Sequence, residues 1–531
     1  MHEVPKKRSH WVKSCPRVCL SSTVFLPINL APNLNSKASQ NQSSPSSPEA
    51  LFYFAVLIME ARLGRKGFCT HFLQLNPKEA SWSDLVKVLF SSNLNKRKFI
   101  QCSFEREENV FYRLLIVISA LVQKFLLKIA FPMAIVGRFL VYLLNFLYAN
   151  DGFFGLLRNI MHVKVVIPDR KAASYLSLIG FLDARMKLDS KIKHDDPMFY
   201  PALSIMACKA VYNNPAYNKY IIEDQWKMEF LGFKDYWNDF TGRADTQVVM
   251  FRDKSFDHDT IVVCFRGTQP FNFNDWCSDV DLSWYEFPNI GRIHSGFLKA
   301  LGMQNVVGWT QTVDADSYHG GRRAPLAYYD IRDTLRDLLT KNPEAKFIVT
   351  GHSLGGALAA LFPAICFYHD DRLLLDRMQA VYTFGQPRVG DQAFGNYMEK
   401  NLKTHGIQYY RYVYCNDMVP RVPSDGVFKH FGTCVYHDSE YQASIVEDVP
   451  FKNYLSIWGC VATRKTAIYE LLRSLVMCRK YGEDYKESWM LFCMRIVGLV
   501  IPGLPAHCAQ DYVNSTRLGS HHHLLSHRFL H

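Results

Sequence analysis

The chain has 531 residues, of which 48% are hydrophobic and 21% are charged. It therefore has enough apolar material for a large core, and disorder of the whole chain is excluded. Its formal net charge of +12 suits an anionic surface. Because the cations are spread along the chain without a nucleic-acid-binding signature, we expect a phospholipid surface and no nucleic acid as partner. The fourteen cysteines form no CxxC pair, which favours reduced thiols in a cytosol-facing protein.

Residues 1–69 are predicted to be a largely disordered leader. Residues 32–49 are rich in serine, asparagine, glutamine and proline, so they cannot bury enough apolar surface to offset the entropy of ordering. A signal or transit peptide is the alternative, because Lys6, Lys7 and Arg8 precede a weakly apolar stretch.

A strongly apolar segment, residues 111–150, dominates the region 70–165, which we expect to associate with a membrane or lipid droplet. Cations interrupt the segment, and its uncharged runs are shorter than the ~20 residues that a membrane-spanning helix needs. On a helix, Arg113, Lys124 and Lys128 would form one narrow basic edge. This pattern favours a helix lying in the membrane interface, with these cations turned toward water.

Pro132 is predicted to break or kink this apolar helix, because proline has no amide hydrogen to donate. The segment 111–150 would then form a hairpin in one leaflet or two consecutive helices. A buried hairpin in the core of a large enzyme is one alternative. A conventional transmembrane helix is another, although charges near the bilayer centre disfavour it.

From residue 166 to residue 519, short β-like runs alternate with helical periodicity, and a disordered tail is predicted at 520–531. Apolar residues on one face predict a helix over 328–339. Strands are predicted at 248–251, 261–265, 347–349, 380–384 and 409–414. Because strands that alternate with helices imply crossover connections, we expect an α/β fold with a largely parallel central sheet.

The sequence Gly351-His352-Ser353-Leu354-Gly355 is a G-x-S-x-G motif between a predicted strand and a segment rich in small residues. Such a tight turn strains the serine backbone, and the glycines leave room where a Cβ would collide with neighbouring elements. The helix that follows directs its first amides and the positive end of its dipole toward the serine. Ser353 is therefore the predicted nucleophile; a glycine-rich turn with an incidental serine is the alternative.

In the α/β-hydrolase fold an acid and then a histidine follow the nucleophile along the chain. Asp417 comes directly after the last predicted strand and is the predicted acid. Asp391 and Asp425 compete with it, but their contexts are more typical of a helix N-cap and a turn. For the base we prefer His507, in a late loop, to His430, which is close in sequence to the acid.

Two backbone amides are needed to stabilise the oxyanion of an acyl-transfer reaction. The residue after the nucleophile, Leu354, supplies one. The other is predicted at Thr268, where a strand ends at Phe265 and the chain turns at Gly267. The threonine hydroxyl would add a side-chain donor, whereas a simple polar turn is the alternative interpretation.

Three motifs together resemble the class 3 lipases, which are fungal-lipase-like α/β hydrolases. They are FRGT at 265–268, GHSLGGALA from 351 and NDMVPRVP at 416–423, and the resemblance covers residues 200–519. It implies ester hydrolysis without a metal or an organic cofactor. The ending HCAQDYVNSTRLG from 507 also resembles the histidine-bearing C-terminal loop of that family.

The resemblance implies a role for each candidate residue. Ser353, Asp417 and His507 would form the catalytic triad, and Thr268 and Leu354 would supply the oxyanion hole. A lid is implied at residues just after the oxyanion threonine, over 275–288, where large aromatic side chains would make one face apolar.

The longer architecture resembles the plant oil-body lipases, through LFSSNLNKRKF at 89–99, KVVIPDR at 164–170 and HSGFLKALG at 294–302. This resemblance implies an acylglycerol substrate, and a location on a lipid droplet or endoplasmic-reticulum surface reached through 111–150. Residues 1–60 do not follow the pattern. A phospholipase A1 or galactolipase of the same family is one alternative. A catalytically dead, lipid-binding scaffold is the other.

Overall fold

The computed structural model describes residues 69–90, 94, 97–103, 109–238, 240–255, 258–303, 325–454 and 457–519. The predicted tail and all of the predicted leader except residue 69 lie outside these residues. The strands are β1 His71–Leu75, β2 Ile100–Cys102, β3 Glu229–Asn238, β4 Arg243–Ser255, β5 His258–Phe265, β6 Trp284–Phe287, β7 Gly291–His294, β8 Lys346–His352, β9 Met378–Phe384, β10 Gln408–Tyr414, β11 Thr433–His437 and β12 Ala443–Val446.

Helices precede, connect and follow these strands, and most of them cover the faces of the larger sheet. They are α1 Trp82–Phe90, α2 Val110–Ala149, α3 Gly152–Met161, α4 Leu178–Leu182, α5 Phe199–Ala210, α6 Pro215–Tyr220, α7 Phe273–Val280, α8 Ser295–Ala300, α9 Ala327–Lys341, α10 Leu354–Tyr368, α11 Arg372–Leu375, α12 Gln392–His405, α13 Ile457–Tyr481, α14 Trp489–Gly498 and α15 Ala509–Leu518.

The larger sheet has the strand order β12-β11-β10-β9-β8-β5-β4-β3. Neighbours from β5 through β8, β9 and β10 to β11 pair in parallel, and the remaining edge pairs are antiparallel. The predicted α/β-hydrolase fold with a mostly parallel sheet is confirmed, and each predicted strand lies within an observed one. Because parallel strands end at one edge, the residues that follow β5, β8 and β10 meet there.

Both faces of this sheet are buried. Successive side chains on a strand point to opposite sides, so each strand contributes to two core clusters. On β5, Val263 packs into one core cluster, whereas Val262 and Cys264 pack into the other. The predicted helix at 328–339 is observed as α9, and its buried residues Ile331 and Leu335 cover the first of these faces. Helices α5 and α15 contribute to the second cluster.

A smaller sheet, in the order β2-β1-β6-β7, joins the region 70–165 to the hydrolase region. Strand β6 pairs with β1, and Trp284 on β6 is buried against Tyr112 of α2, to which its Nε1 donates a 3.0 Å hydrogen bond. The lid predicted over 275–288 is therefore wrong for its second half, which is a buried strand. Its strand partner lies more than 200 residues earlier in the chain, so local sequence could not indicate it.

Helix α2 runs without a break through Pro132, so the predicted break and the hairpin that would follow from it are wrong. The proline is exposed on α2, and so is Lys128, whose carbonyl the proline leaves unpaired, so that water can hydrate this carbonyl. Asn109 caps the start of the helix by accepting from Tyr112 N at 2.7 Å. Near its end, Asn145 binds both Leu176 O and Leu176 N at 2.8 Å, which fixes the second half of α2 to the body.

The predicted basic edge of α2 does not turn toward water along its length. Arg113 is buried beside α1, and the Lys124 ammonium donates to the carbonyls of Pro77 and Ala80 at 3.2 and 2.7 Å. Only Lys128 of the three is exposed. The expected orientation is thus wrong for the first two cations, because backbone carbonyls replace water as their acceptors: that of Val88 in α1 for Arg113, and those of Pro77 and Ala80 for Lys124.

Among the described residues, α2 is the helix whose length and composition would allow it to cross a bilayer, with a mean hydropathy of 2.1 in its most apolar window. A third of that window is buried against the rest of the protein, and forty residues extend about 60 Å. The opposite side of the helix exposes large apolar residues. These are Phe125, Phe131, Ile135, Val136, Phe139 and Leu143.

Candidate active site

Ser353 lies at the tight turn between β8 and α10, as the motif predicts. Its backbone has φ 60° and ψ −131°, a conformation that strains any residue other than glycine. The turn is held by a 2.9 Å bond from Ser353 N to the carbonyl of Phe384, at the end of β9. The strained residue therefore has a fixed position at the carboxyl edge of the sheet.

Gly351 and Gly355 are required by close backbone contacts. A Cβ at Gly351 would lie 2.0 Å from the carbonyl oxygen of Gly355, and a Cβ at Gly355 would lie 2.3 Å from the carbonyl oxygen of Phe265. Both distances are far below van der Waals contact. The glycines therefore allow α10 to begin directly against β5 and β8, which turns Ser353 outward from the sheet edge.

The structure brings Ser353, His507 and Asp417 together in one row. Nε2 of His507 lies 2.8 Å from Oγ of Ser353, and Nδ1 of His507 lies 2.9 and 2.8 Å from the two carboxylate oxygens of Asp417. Asp417 is completely buried. A histidine held in this way can accept the serine proton at one ring nitrogen while the carboxylate stabilises the cation at the other.

The carboxylate of Asp417 is held by two further donors, neither of which was predicted. Tyr512 on α15 donates its hydroxyl to Oδ2 at 2.5 Å, and Val419 N donates to Oδ1 at 2.9 Å. Gly385 packs beside the pair, since a Cβ there would lie 2.7 Å from Oδ2 of Asp417 and 2.9 Å from Cε1 of His507. No local sequence pattern marks Tyr512 or Gly385, because their roles depend on the packing of α15 and β9 around the acid.

His352, the variable residue of the motif, connects the turn to the base. Its Nε2 donates to the backbone carbonyl of His507 at 2.9 Å, and since a carbonyl only accepts, Nε2 carries the hydrogen. Nδ1 then accepts from the hydroxyl of Tyr212, 3.1 Å away. Complete burial, with His507 close by, lowers the pKa of His352 well below its ordinary value. A neutral His352 therefore holds the backbone of the base in place.

Thr268 and Leu354 lie on the two chain segments that flank the nucleophile. Leu354 begins α10, where the first amides have no carbonyl acceptor within the helix. The preceding Gly267 is packed so closely that a Cβ there would lie 3.0 Å from Cβ of Ser353. Amides at these positions are suited to an oxyanion formed at Ser353.

A buried carboxyl group of α7 fixes the side chain of Thr268. Oγ1 of Thr268 donates to Oδ2 of Asp279 at 3.0 Å. Burial, with Asp275 nearby, raises the pKa of Asp279 to about 8. The group is therefore mostly neutral at pH 7. Asp279 was not predicted as a site residue; it lies within the segment that the sequence indicated as a lid.

The rival candidates have structural contacts of their own. Asp391 caps α12 by accepting from Phe394 N at 2.9 Å, as its context predicts. Asp425 pairs with Lys429 at 2.7 Å, and His430 Nε2 lies 2.7 Å from the carbonyl of Pro420. In the described structure, none of these rivals forms a hydrogen bond with Ser353, whose hydroxyl pairs with His507. Within the described part of the chain, no cluster of three or more histidine, cysteine or acidic residues is arranged to hold a metal ion.

Comparison with known proteins assigns the chain to a family. The family model described as Lipase (class 3) matches residues 262–427. Triacylglycerol lipase OBL1 of Arabidopsis thaliana is 37% identical over 495 residues, covering 85% of this chain and 96% of that protein. The protein of the same name from Ricinus communis is 36% identical over 500 residues, covering 85% and 95%. Fold and family together define a carboxylic ester hydrolase with the α/β-hydrolase fold.

The chain belongs to the class 3 lipase family. Lipase of Rhizomucor miehei is 32% identical over 182 residues, which is 34% of this chain and 41% of that protein. The solved native Rhizomucor miehei lipase propeptide complex is 25% identical, covers 53% of this chain and 87% of its own, and gives a TM-score of 0.34. The plant relatives match along most of the chain, including regions that lie outside the family model.

Proposed function

We propose that this protein hydrolyses triacylglycerols at a lipid surface through a Ser–His–Asp acyl-enzyme mechanism, releasing free fatty acids. The observation that carries the proposal is the row of hydrogen bonds from Ser353 through His507 to Asp417. Membership of a lipase family supports the reaction type, and the plant relatives named triacylglycerol lipase support the substrate.

In the first step, Oγ of Ser353 attacks the ester carbonyl carbon while Nε2 of His507 takes the hydroxyl proton. The carbonyl oxygen becomes negatively charged and accepts hydrogen bonds from the amides of Leu354 and Thr268. Asp417 stabilises the imidazolium that forms. The ester C–O bond then breaks, and the imidazolium returns its proton to the departing glycerol oxygen, leaving an acyl-enzyme.

In the second step, water replaces the alcohol. His507 takes a proton from the water as its oxygen attacks the acyl carbon, and the same amides bind the new oxyanion. Collapse of this intermediate breaks the bond to Oγ of Ser353, which regains its proton, and a fatty acid leaves. Each proton is carried by His507, so neither step calls for a metal or an organic cofactor.

Helices α2 and α3 support a location at a lipid surface. The exposed apolar residues of α2 are continued on α3, which presents Phe153, Phe154, Leu157, Ile160 and Met161 to solvent. So large an exposed apolar area is typical of an interaction surface. We place this face on the monolayer of a lipid droplet or on the endoplasmic-reticulum membrane, with the active site facing the cytosol.

The nucleophile is tested with a lipid-like phosphonate that forms a stable adduct, followed by peptide mapping. We expect label on Ser353 and loss of triolein hydrolysis in Ser353→Ala. The rival residues supply matched controls. His507→Gln and Asp417→Asn should lose activity, whereas His430→Gln and Asp425→Asn should retain most of it. Unchanged hydrolysis by Ser353→Ala would overturn the mechanism and leave the scaffold alternative.

The substrate class needs a separate comparison. Fatty-acid release is measured from emulsified triolein, phosphatidylcholine and a galactolipid under one set of conditions. The proposal expects the highest kcat/KM for triolein. A clear preference for the phospholipid or the galactolipid would instead identify a phospholipase A1 or a galactolipase.

The surface role of α2 is best tested by substitution rather than deletion, because the other side of the helix packs into the protein. Phe131→Gln, Ile135→Gln and Phe139→Gln together remove apolar area from the exposed side. We expect this triple variant to leave floated lipid droplets while it still hydrolyses a soluble short-chain ester. The matched control is Trp82→Gln with Phe90→Gln on α1, which are also exposed.

A further inference from the structure

Helix α13 buries two charged side chains near its middle and exposes several large apolar ones, whereas an ordinary surface helix turns its apolar side inward. Glu470 and Arg473 are only 5% and 6% exposed. The apolar residues recur at helical spacing and share the outer side. They are Val461, Ile468, Leu472, Leu475 and Val476, each more than half exposed.

Helix α14 and the loop after it repeat this arrangement. Arg495 is 1% exposed, whereas Trp489 at the start of the helix is 68% exposed. The apolar face includes Ile496 and Val497 at the end of the helix and continues into the loop that leads to His507, through Leu499, Val500 and Ile501. Exposed tryptophan and branched aliphatic side chains in one patch are typical of a surface that binds lipid or another protein.

A buried ionic network fixes the outward direction of both apolar faces. Arg495 binds Glu487 at 2.7 Å and Asp511 of α15 at 2.9 Å. Glu470 accepts from the Tyr414 hydroxyl at 2.8 Å, and the same hydroxyl lies 2.9 Å from Arg473 Nη2. Rotating either helix to bury its apolar side would separate these charges and leave them without partners, which is strongly destabilising.

The charge at the edges of α13 indicates what this face binds. Arg464, Lys465, Arg479 and Lys480 are exposed, and the one carboxylate of the helix, Glu470, is buried. An apolar face that carries cations near both of its ends suits anionic lipid head groups with acyl chains beneath them. Two copies of the chain would bring these cations together, so the same charges disfavour a dimer through this face.

The face is also continuous with the catalytic machinery. Met418 N donates to the carbonyl of Gly503 at 3.4 Å, and a Cβ at Gly503 would lie 2.2 Å from the carbonyl oxygen of Asn416. Gly503, two residues after the exposed loop residues, is therefore packed against the turn that carries Asp417, and His507 follows it. Helix α4 contacts α14. The Phe181 ring of α4 also packs edge-on against Tyr148, at the end of α2.

We propose that the outer face of α13, α14 and residues 499–501 is a second lipid-binding surface, which recognises a membrane or droplet monolayer containing anionic phospholipids. It would hold the opening of the active site against the surface that contains the substrate. Its effect on lipolysis rests on the proposed function, whereas its binding to lipid does not.

The test uses the full chain and vesicles of phosphatidylcholine with or without phosphatidylserine. The glutamine variant carries Leu472→Gln, Leu475→Gln and Val476→Gln. The glutamate variant carries Arg464→Glu, Lys465→Glu, Arg479→Glu and Lys480→Glu. We expect the glutamine variant to have about tenfold lower affinity than the wild type for both kinds of vesicle. Its hydrolysis of emulsified triolein should also be about tenfold lower. The glutamate variant should lose the added binding that phosphatidylserine gives, by about tenfold or more. Hydrolysis of a soluble ester should be unchanged in both.

Lys400→Glu with Lys403→Glu, on exposed positions of α12, is the matched control for charge, and it should bind like the wild type. Wild-type vesicle binding by both test variants would overturn the proposal. The proposal would also be overturned if light scattering showed a dimer for the wild type and a monomer for the glutamine variant, because the face would then bind a second copy of the chain. If the wild type does not hydrolyse triolein, the proposed function fails, while the vesicle measurements still decide the lipid-binding surface.

Discussion

The hydroxyl of Tyr512 donates a 2.5 Å hydrogen bond to Oδ2 of Asp417, five residues after the histidine that the same carboxylate holds. Helix α15 thus orients Asp417 from one side while the loop before it presents His507. Backbone N–H of Tyr414, at the end of β10, also donates to the Tyr512 oxygen at 3.2 Å. The tyrosine therefore connects the sheet edge, the acid and the last helix.

Tyr512→Phe removes this bond and keeps the ring in place. We expect kcat for a soluble ester to fall about tenfold, because a hydrogen bond to a charged acceptor contributes about 1.5 kcal/mol or more. KM should change little, since the tyrosine acts through Asp417 and does not contact substrate. Tyr485→Phe, which removes a buried hydroxyl bound to Glu487, is the control. An unchanged kcat would mean that Val419 N alone is sufficient to orient the carboxylate.

Asp279 gives a prediction for pH. Its pKa is raised by burial from 3.8 to about 8, so between these values the native state keeps a proton that the unfolded state releases. The contribution of this group to the free energy of unfolding is therefore largest below pH 4 and declines as pH rises toward 8, by up to about 1.4 kcal/mol per pH unit. Asp279→Asn removes the titration and preserves an acceptor for Thr268.

We therefore expect Asp279→Asn to gain stability relative to the wild type as pH increases from 5 to 8, in urea unfolding followed at several pH values. Asp376→Asn, at an exposed acid on the surface, is the control. A constant difference between Asp279→Asn and the wild type across this range would show that Asp279 is ionised in the native state.

Gly355→Ala is predicted to be among the most damaging small substitutions in the chain. The new methyl group would lie 2.3 Å from the carbonyl oxygen of Phe265 in the centre of the sheet, where neither backbone can move freely. We expect a loss of about 3 kcal/mol or more in the free energy of unfolding. Gly395→Ala on α12 is the control, since its nearest neighbour is 3.7 Å away, and equal stabilities of the two variants would contradict the prediction.

Arg495→Met tests the buried network beneath α13 and α14. The substitution supplies an unbranched apolar side chain but leaves Glu487 and Asp511 without their cation, which is expected to cost about 3–5 kcal/mol. Thermal unfolding should show a large drop in Tm. Arg464→Met, on the exposed side of α13, should change Tm by little, and a similar small change at position 495 would mean that the acids are protonated or hydrated instead.

Sequence alone predicted the features whose cause is local. Strands β5, β8 and β10 follow from short runs of apolar residues, and the elbow follows from glycines that any backbone with this turn requires. His507 was preferred to His430 on its late position in the chain and then on family resemblance. The structure places it 2.8 Å from Ser353 Oγ, a distance that no spacing rule could have indicated.

The wrong predictions share a different cause, which is contact between residues far apart in the chain. Whether Pro132 breaks the helix depends on the tertiary contacts of α2. The hydrogen bonds between Asn145 and the backbone of Leu176 fix the second half of this helix to the rest of the protein. The acceptors of Lys124 lie more than 40 residues before it. Trp284 was placed in a lid because β1, its strand partner, was not recognisable as part of the same sheet.

The packing of α2 on α7 has a consequence for the order of events during synthesis. The hydroxyl of Ser119 donates to the carbonyl of Val280, which lies 161 residues later in the chain. A ribosome that adds roughly 5–20 residues per second needs roughly 8–32 s to make that distance. For this interval the apolar helix lacks its packing on α7. On the location proposed above, the nascent chain would be able to attach to a lipid surface before its hydrolase region has been made.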